Sequence, residues 1–190
     1  TNTGFSRMTE RPSDIFEYDG SALKFDFENG VNVLSAFIQP ANDSLLYAGT
    51  YYRNGLYAFS NNTGKLKGLV PLKDYTGILA INGAIKSSQN ESSYYLASSQ
   101  GLLRFDAQAP TALERVQLPL DGLTGAHVWC MDYDLQGVIW LATGDGLFAW
   151  DEQKNTVVNY SDLFRKSSGL SSFNLIQLLM DRDGGVWCVT

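Results

Sequence analysis

The chain has 190 residues, enough to bury a sizeable core as one domain or slightly more. Aromatic residues make up 13% and charged residues 18%, and glycine outnumbers proline 18 to 5, which argues against disorder and suits short strands joined by glycine turns. With a net charge of −6, singly scattered Lys and Arg, and no apolar run near the roughly 18 residues that cross a bilayer, the composition argues against a nucleic-acid partner and against membrane contact by this segment.

In chain order, residues 1–8 read as the second half of a repeating unit, with strand-like runs at 4–8 and 15–18. A first clear copy follows as Leu46-Tyr47-Ala48-Gly49-Thr50 and then Gly55-Leu56-Tyr57-Ala58-Phe59. It recurs from Tyr94-Tyr95-Leu96-Ala97-Ser98 to Gly101-Leu102-Leu103-Arg104-Phe105-Asp106, and again from Val138-Ile139-Trp140-Leu141-Ala142-Thr143 to Gly146-Leu147-Phe148-Ala149-Trp150-Asp151. A fourth copy starts at Gly185-Val186-Trp187-Cys188-Val189-Thr190. The marker hydroxyls Thr1, Thr50, Ser98, Thr143 and Thr190 are 49, 48, 45 and 47 residues apart. A period in the mid-forties is that of β-propeller blades.

Within a unit the apolar residues alternate with period two and glycine marks the turns, which predicts an all-β chain of four-stranded antiparallel sheets. The clearest unit predicts strands at 128–132, 138–143, 147–151 and 156–160, with a turn over 134–137 and the next unit starting at 174–180. Tyr47, Tyr95, Trp140 and Trp187 share one position of the second strand, where large side chains would fill the gap between blades; full burial of each is worth about 2–3 kcal/mol. Gly55, Gly101 and Gly146 precede the third strand, where a tight turn calls for positive φ.

The count is about four blades, three complete and two complementary halves, so residues 1–190 read as a single β-propeller segment. The split blade could close within one chain, close across a head-to-tail homodimer that shares the halves, or be completed by further blades of a larger propeller. Strong curvature disfavours a ring of only four.

The run Asp134-x-x-Gly137-x-Ile139-Trp140-x-x-Thr143-x-x-Gly146-Leu147-x-x-Trp150-Asp151 resembles the two-component regulator propeller repeat, and Asp181 to Thr190 matches it again. The resemblance covers essentially the whole chain, most strongly in the last third. It implies a fragment of a periplasmic sensor's input domain, with a histidine kinase or other output elsewhere. In hybrid sensors of this family it implies a ligand derived from glycans. Full sensors of the family carry many more repeats than four.

Residues suited to catalysis are scarce. His127 is the only histidine, no nucleophile elbow or phosphate-binding loop occurs, and no catalytic residue, cofactor or metal ligand is assigned. Asp181-x-Asp183-Gly184 and Asp132-x-Asp134 look superficially like calcium loops, but Asp and Gly at a hairpin supply turn hydrogen bonds. Cys130 and Cys188 read as small buried apolar residues. Four N-x-Ser/Thr sequences, at Asn42, Asn61, Asn90 and Asn159, carry no weight in a bacterial protein. The candidate ligand loop is Tyr51-Tyr52-Arg53-Asn54, whose rings, guanidinium and amide suit an oligosaccharide. Gln100 and Asp145 occupy the corresponding loops. The alternatives are a propeller-fold lyase or hydrolase and a protein-binding scaffold.

Overall fold

A computed structural model describes residues 34–40, 44–51, 55–63, 65–169, 175 and 177–189. The runs expected at 4–8 and 15–18, the marker residues Thr1 and Thr190, and the start of the last unit at Asn174 lie outside these residues.

Alternating apolar runs separated by turn residues fold here as successive meanders. The first sheet is β1 (Leu34–Ile38), β2 (Leu45–Thr50), β3 (Leu56–Ser60) and β4 (Leu66–Val70). The second is β5 (Ile81–Lys86), β6 (Ser93–Ser98), β7 (Gly101–Asp106) and β8 (Glu114–Arg115), and the third is β9 (Val128–Tyr133), β10 (Ile139–Thr143), β11 (Gly146–Asp151) and β12 (Thr156–Asn159). Strands in each sheet pair antiparallel with their neighbours in sequence, and a hairpin of β13 (Gln177–Met180) and β14 (Val186–Val189) follows. The inner strands pack side by side, β1 on β5, β5 on β9 and β9 on β13. These are three complete propeller blades and half of a fourth, and the strands expected in the third lie within one residue of their observed ends.

The hydrophobic core is the set of layers between blades. Tyr47 is fully buried, with its ring 4.7 Å from that of Phe105 on the next sheet, and Tyr95 meets Trp150 edge-on at 5.2 Å. Trp140 is half-buried, 4.8 Å from Tyr160, against the layer formed by Ala142, Leu147, Leu175 and Leu178. Trp187 departs from the expectation: it is 64% exposed. It projects from the face of the hairpin turned away from the third blade, beside exposed Leu179 and Val189, and no described residue lies against that face. Both cysteines are half-buried in the same third layer, not fully buried, and burial pushes the Cys130 thiol up to about 12.

The repeat motif has a direct physical reading in the inner hairpin. Asp134 Oδ1 accepts from the backbone N–H groups of Gln136 and Val138, both at 2.9 Å, and Oδ2 accepts from Trp140 Nε1 at 3.0 Å. Asp181 repeats the arrangement with Asp183 N–H at 2.9 Å, Gly185 N–H at 2.6 Å and Trp187 Nε1 at 2.8 Å. The Trp187 indole, followed by the Gly185 N–H, holds the Asp181 carboxyl below the usual carboxylate range. One carboxylate thus closes the turn and fixes the rotamer of the second-strand tryptophan.

One element was not foreseen. A helix, α1 (Ser161–Ser168), joins the third blade to the fourth. Asn159 Oδ1 accepts from the N–H of Ser161 at 2.8 Å at its start, Gly169 ends it in the left-handed conformation with its N–H on the carbonyl of Arg165, and Phe164 packs on the third layer.

Candidate functional site

The turns between second and third strands lie at one end of the blades, and the marker hydroxyls build them. Thr50 Oγ1, Ser98 Oγ and Thr143 Oγ1 are buried and donate to the carbonyls of Gly55, Gly101 and Gly146 at 3.3, 2.6 and 3.1 Å. Those glycines have φ of 97°, 99° and 150°, as the turn requires. In the second and third blades each turn is also tied to the chain entering its own inner strand: Ser99 N–H donates to the carbonyl of Ala80 at 3.0 Å, and Gly144 N–H to that of His127 at 3.3 Å.

Of the loop proposed for a ligand, Tyr51 is half-buried at the end of β2, and Tyr52, Arg53 and Asn54 lie outside the described residues. Gln100 is engaged by Arg115, whose Nη2 donates to Oε1 at 3.3 Å. Asp145 is exposed at the tip of its turn, with its N–H donating to Thr143 Oγ1 at 3.1 Å. Gln100 and Asp145 occupy equivalent positions, each two residues after its marker hydroxyl, whereas Tyr51 stands one residue after Thr50.

A second set of residues at this end was missed. The inner strands β1, β5 and β9 each carry a β-bulge at the same point, where Ser35, Asn82 and Trp129 are the extra residues, 47 positions apart. A bulge re-aims a side chain without ending the ladder. Ser35 Oγ donates to the carbonyl of Ile81, the residue before the next bulge. Asn82 Nδ2 does the same to Val128 at 2.7 Å and also donates to His127 Nε2 at 2.9 Å, while its Oδ1 is buried without a donor among the described residues. The carbonyl of Val128 fixes the amide orientation, so His127 Nε2 is the acceptor and Nδ1 carries the ring proton. The imidazole stacks on Trp129 with centroids 3.7 Å apart.

Burial holds His127 below the ordinary imidazole range. The neutral ring is also the form that can accept from Asn82. The contribution to stability is therefore complete above about pH 6.5, the value for an exposed histidine, and is lost as the pH falls from there through the lowered folded-state pKa. Melting temperatures taken from pH 7.5 to 5 should fall more steeply for the native protein than for His127→Gln. Parallel profiles would show that this histidine does not contribute.

A groove of about 350 Å³ between the second and third blades includes Tyr95, Arg104, Glu114, Trp150 and Glu152 in its lining. Its polar groups satisfy one another: Tyr95 Oη and Ser87 Oγ donate to Glu152, and Arg104 pairs with Glu114 at 2.8 Å. It is a structural seam between blades. Among the described residues no cluster of three or more His, Cys, Asp or Glu is placed to hold a metal ion, and no helix is long and apolar enough to cross a membrane.

Sheet order, interblade layers and the repeated hairpin define a segment of β-propeller. Solved structures share this fold. The chain matches the extracellular domain of BT4673 from B. thetaiotaomicron, assigned to a hybrid two-component system, at a TM-score of 0.62 and 16% identity, covering 83% of this chain and 20% of that one. It matches the extracellular domain of BT3049 from the same organism, likewise assigned to a hybrid two-component system, at a TM-score of 0.58 and 17% identity, covering 84% and 19%. At these identities the likeness is one of fold, and the chain spans about one fifth of the length of each structure. No family model matches the sequence, and no curated protein matches it.

Proposed function

We propose that residues 1–190 are part of the input domain of a bacterial extracytoplasmic sensor of the two-component type, located in the periplasm, and that its signal is a carbohydrate-derived molecule. The observation that carries the reading is the blade geometry shared with two extracellular sensor-system domains, on a chain whose hairpin motif resembles the two-component regulator propeller repeat. Recognition fits the site better than catalysis. His127, the single histidine, faces an amide and an indole, with neither a nucleophile nor a carboxylate among its described partners.

The test is genetic. Transcripts of a strain lacking the protein are compared with those of its parent during growth on a panel of purified glycans. The null strain should lose induction of a gene set by one class of glycan. Identical responses across the panel would overturn the sensor reading.

A further inference from the structure

The bulge residues follow a rule that the third blade breaks. Ser35 and Asn82 each donate to the carbonyl just before the next blade's bulge residue, so that the inner strands are linked in series. The equivalent step from Trp129 would reach Leu175, 47 positions beyond Val128. Instead the indole lies on His127 and its Nε1 approaches Gly144, 4.0 Å from where a Cβ on that residue would stand. Among the described residues this N–H has no acceptor, His127 Nδ1 has no partner and the Asp145 carboxylate has no donor. All three side chains are at least partly exposed. The stack on His127 takes the place of the missing link, and natural folds break their own repeated solution chiefly at functional or strained sites.

Resting on the sensor reading above, we infer that Trp129, His127 and Asp145 form a binding site for a neutral saccharide at the inner-strand end of the third blade. A half-exposed indole braced from behind offers a stiff apolar surface for the C–H face of a pyranose ring. The indole and imidazole N–H groups are donors for ring or hydroxyl oxygens, and the Asp145 carboxylate accepts from one or two hydroxyls. Both elements are held in place before a ligand arrives. The carbonyl of His127 fixes the turn that carries Asp145, and Asn82 fixes the imidazole under the indole. Preorganisation of this kind favours affinity because little side-chain freedom is lost on binding.

Calorimetric titration of the full-length protein with cellobiose, xylobiose, mannobiose and galactobiose tests the site, alongside Trp129→Ala, Asp145→Asn and, at an exposed position away from it, Glu91→Gln. Asp145→Asn alters an exposed turn tip and should leave the fold intact. At least one disaccharide should bind, with affinity reduced tenfold or more by Trp129→Ala and by Asp145→Asn and changed less than twofold by Glu91→Gln. Retention of native affinity in Asp145→Asn and in a folded Trp129→Ala, or no binding of any of the four by the native protein, overturns the inference. The same variants placed in cells separate the two readings. A null strain that loses glycan induction while both variants keep it removes the site and leaves the sensor standing, whereas a null strain with no altered transcript removes the sensor.

Discussion

Replacing Tyr47 by alanine is expected to destabilise the protein by about 3–5 kcal/mol, the range for deleting a large buried aromatic side chain. Tyr47 is fully buried and stands between two sheets, against Phe105 at 4.7 Å and within a cluster that includes Ile38, Leu56, Ile81 and Leu96. Its ring is wide enough to span the space that opens between blades as they diverge from the inner strands. Backbone ladders hold β2 to β1 and β3, so the sheet cannot slide inward to close the cavity that alanine leaves. Phe105 would lose its partner in the same event, and the two deletions should therefore be far from additive. Urea denaturation of Tyr47→Ala, Phe105→Ala and the double variant measures this. Additive losses, or a loss below about 1 kcal/mol for Tyr47→Ala, would mean that the rings do not hold the blades together.

Much of this architecture could be read from spacing. The hydroxyl residues Thr50, Ser98 and Thr143, 48 and 45 positions apart, recur because one buried Oγ bonds at each of these turns between second and third strands. Asp134 and Asp181 recur because each closes a hairpin and holds a tryptophan. What escaped has physical reasons too. The bulges at Ser35, Asn82 and Trp129 leave no gap in composition; Val128-Trp129-Cys130 reads as an unbroken apolar run, and only the 47-residue spacing of three unlike residues betrays them. The helix Ser161–Ser168 hid in a segment expected to run from one strand to the next, although Asn159 before it and Gly169 after it are recognisable end signals. The exposure of Trp187 could not be read at all, because burial at that position depends on what lies against the sheet and not on the motif.

Gly101→Ala is expected to cost about 2–6 kcal/mol, combining backbone strain of about 1–3 kcal/mol with overpacking of similar size. Gly101 has φ of 99°, where a Cβ is strained whatever surrounds it. The surroundings make it worse. A Cβ here would stand 2.7 Å from the backbone N of Gly125 and 2.9 Å from its Cα. No rotamer change relieves a clash with backbone, and Gly125 belongs to the turn that feeds β9, so the displacement would reach the Asn82–His127 link and the interblade layer beyond it. Gly137, with φ of 79° and nothing within 4 Å of its hypothetical Cβ, isolates the strain alone and should cost only about 1 kcal/mol. Urea midpoints for the two alanine variants, measured with the native protein, decide the matter. Equal losses would show that the approach of Gly125 to the third-strand turn does not constrain the fold, and the blade-to-blade coupling argued for this end of the propeller would fail with it.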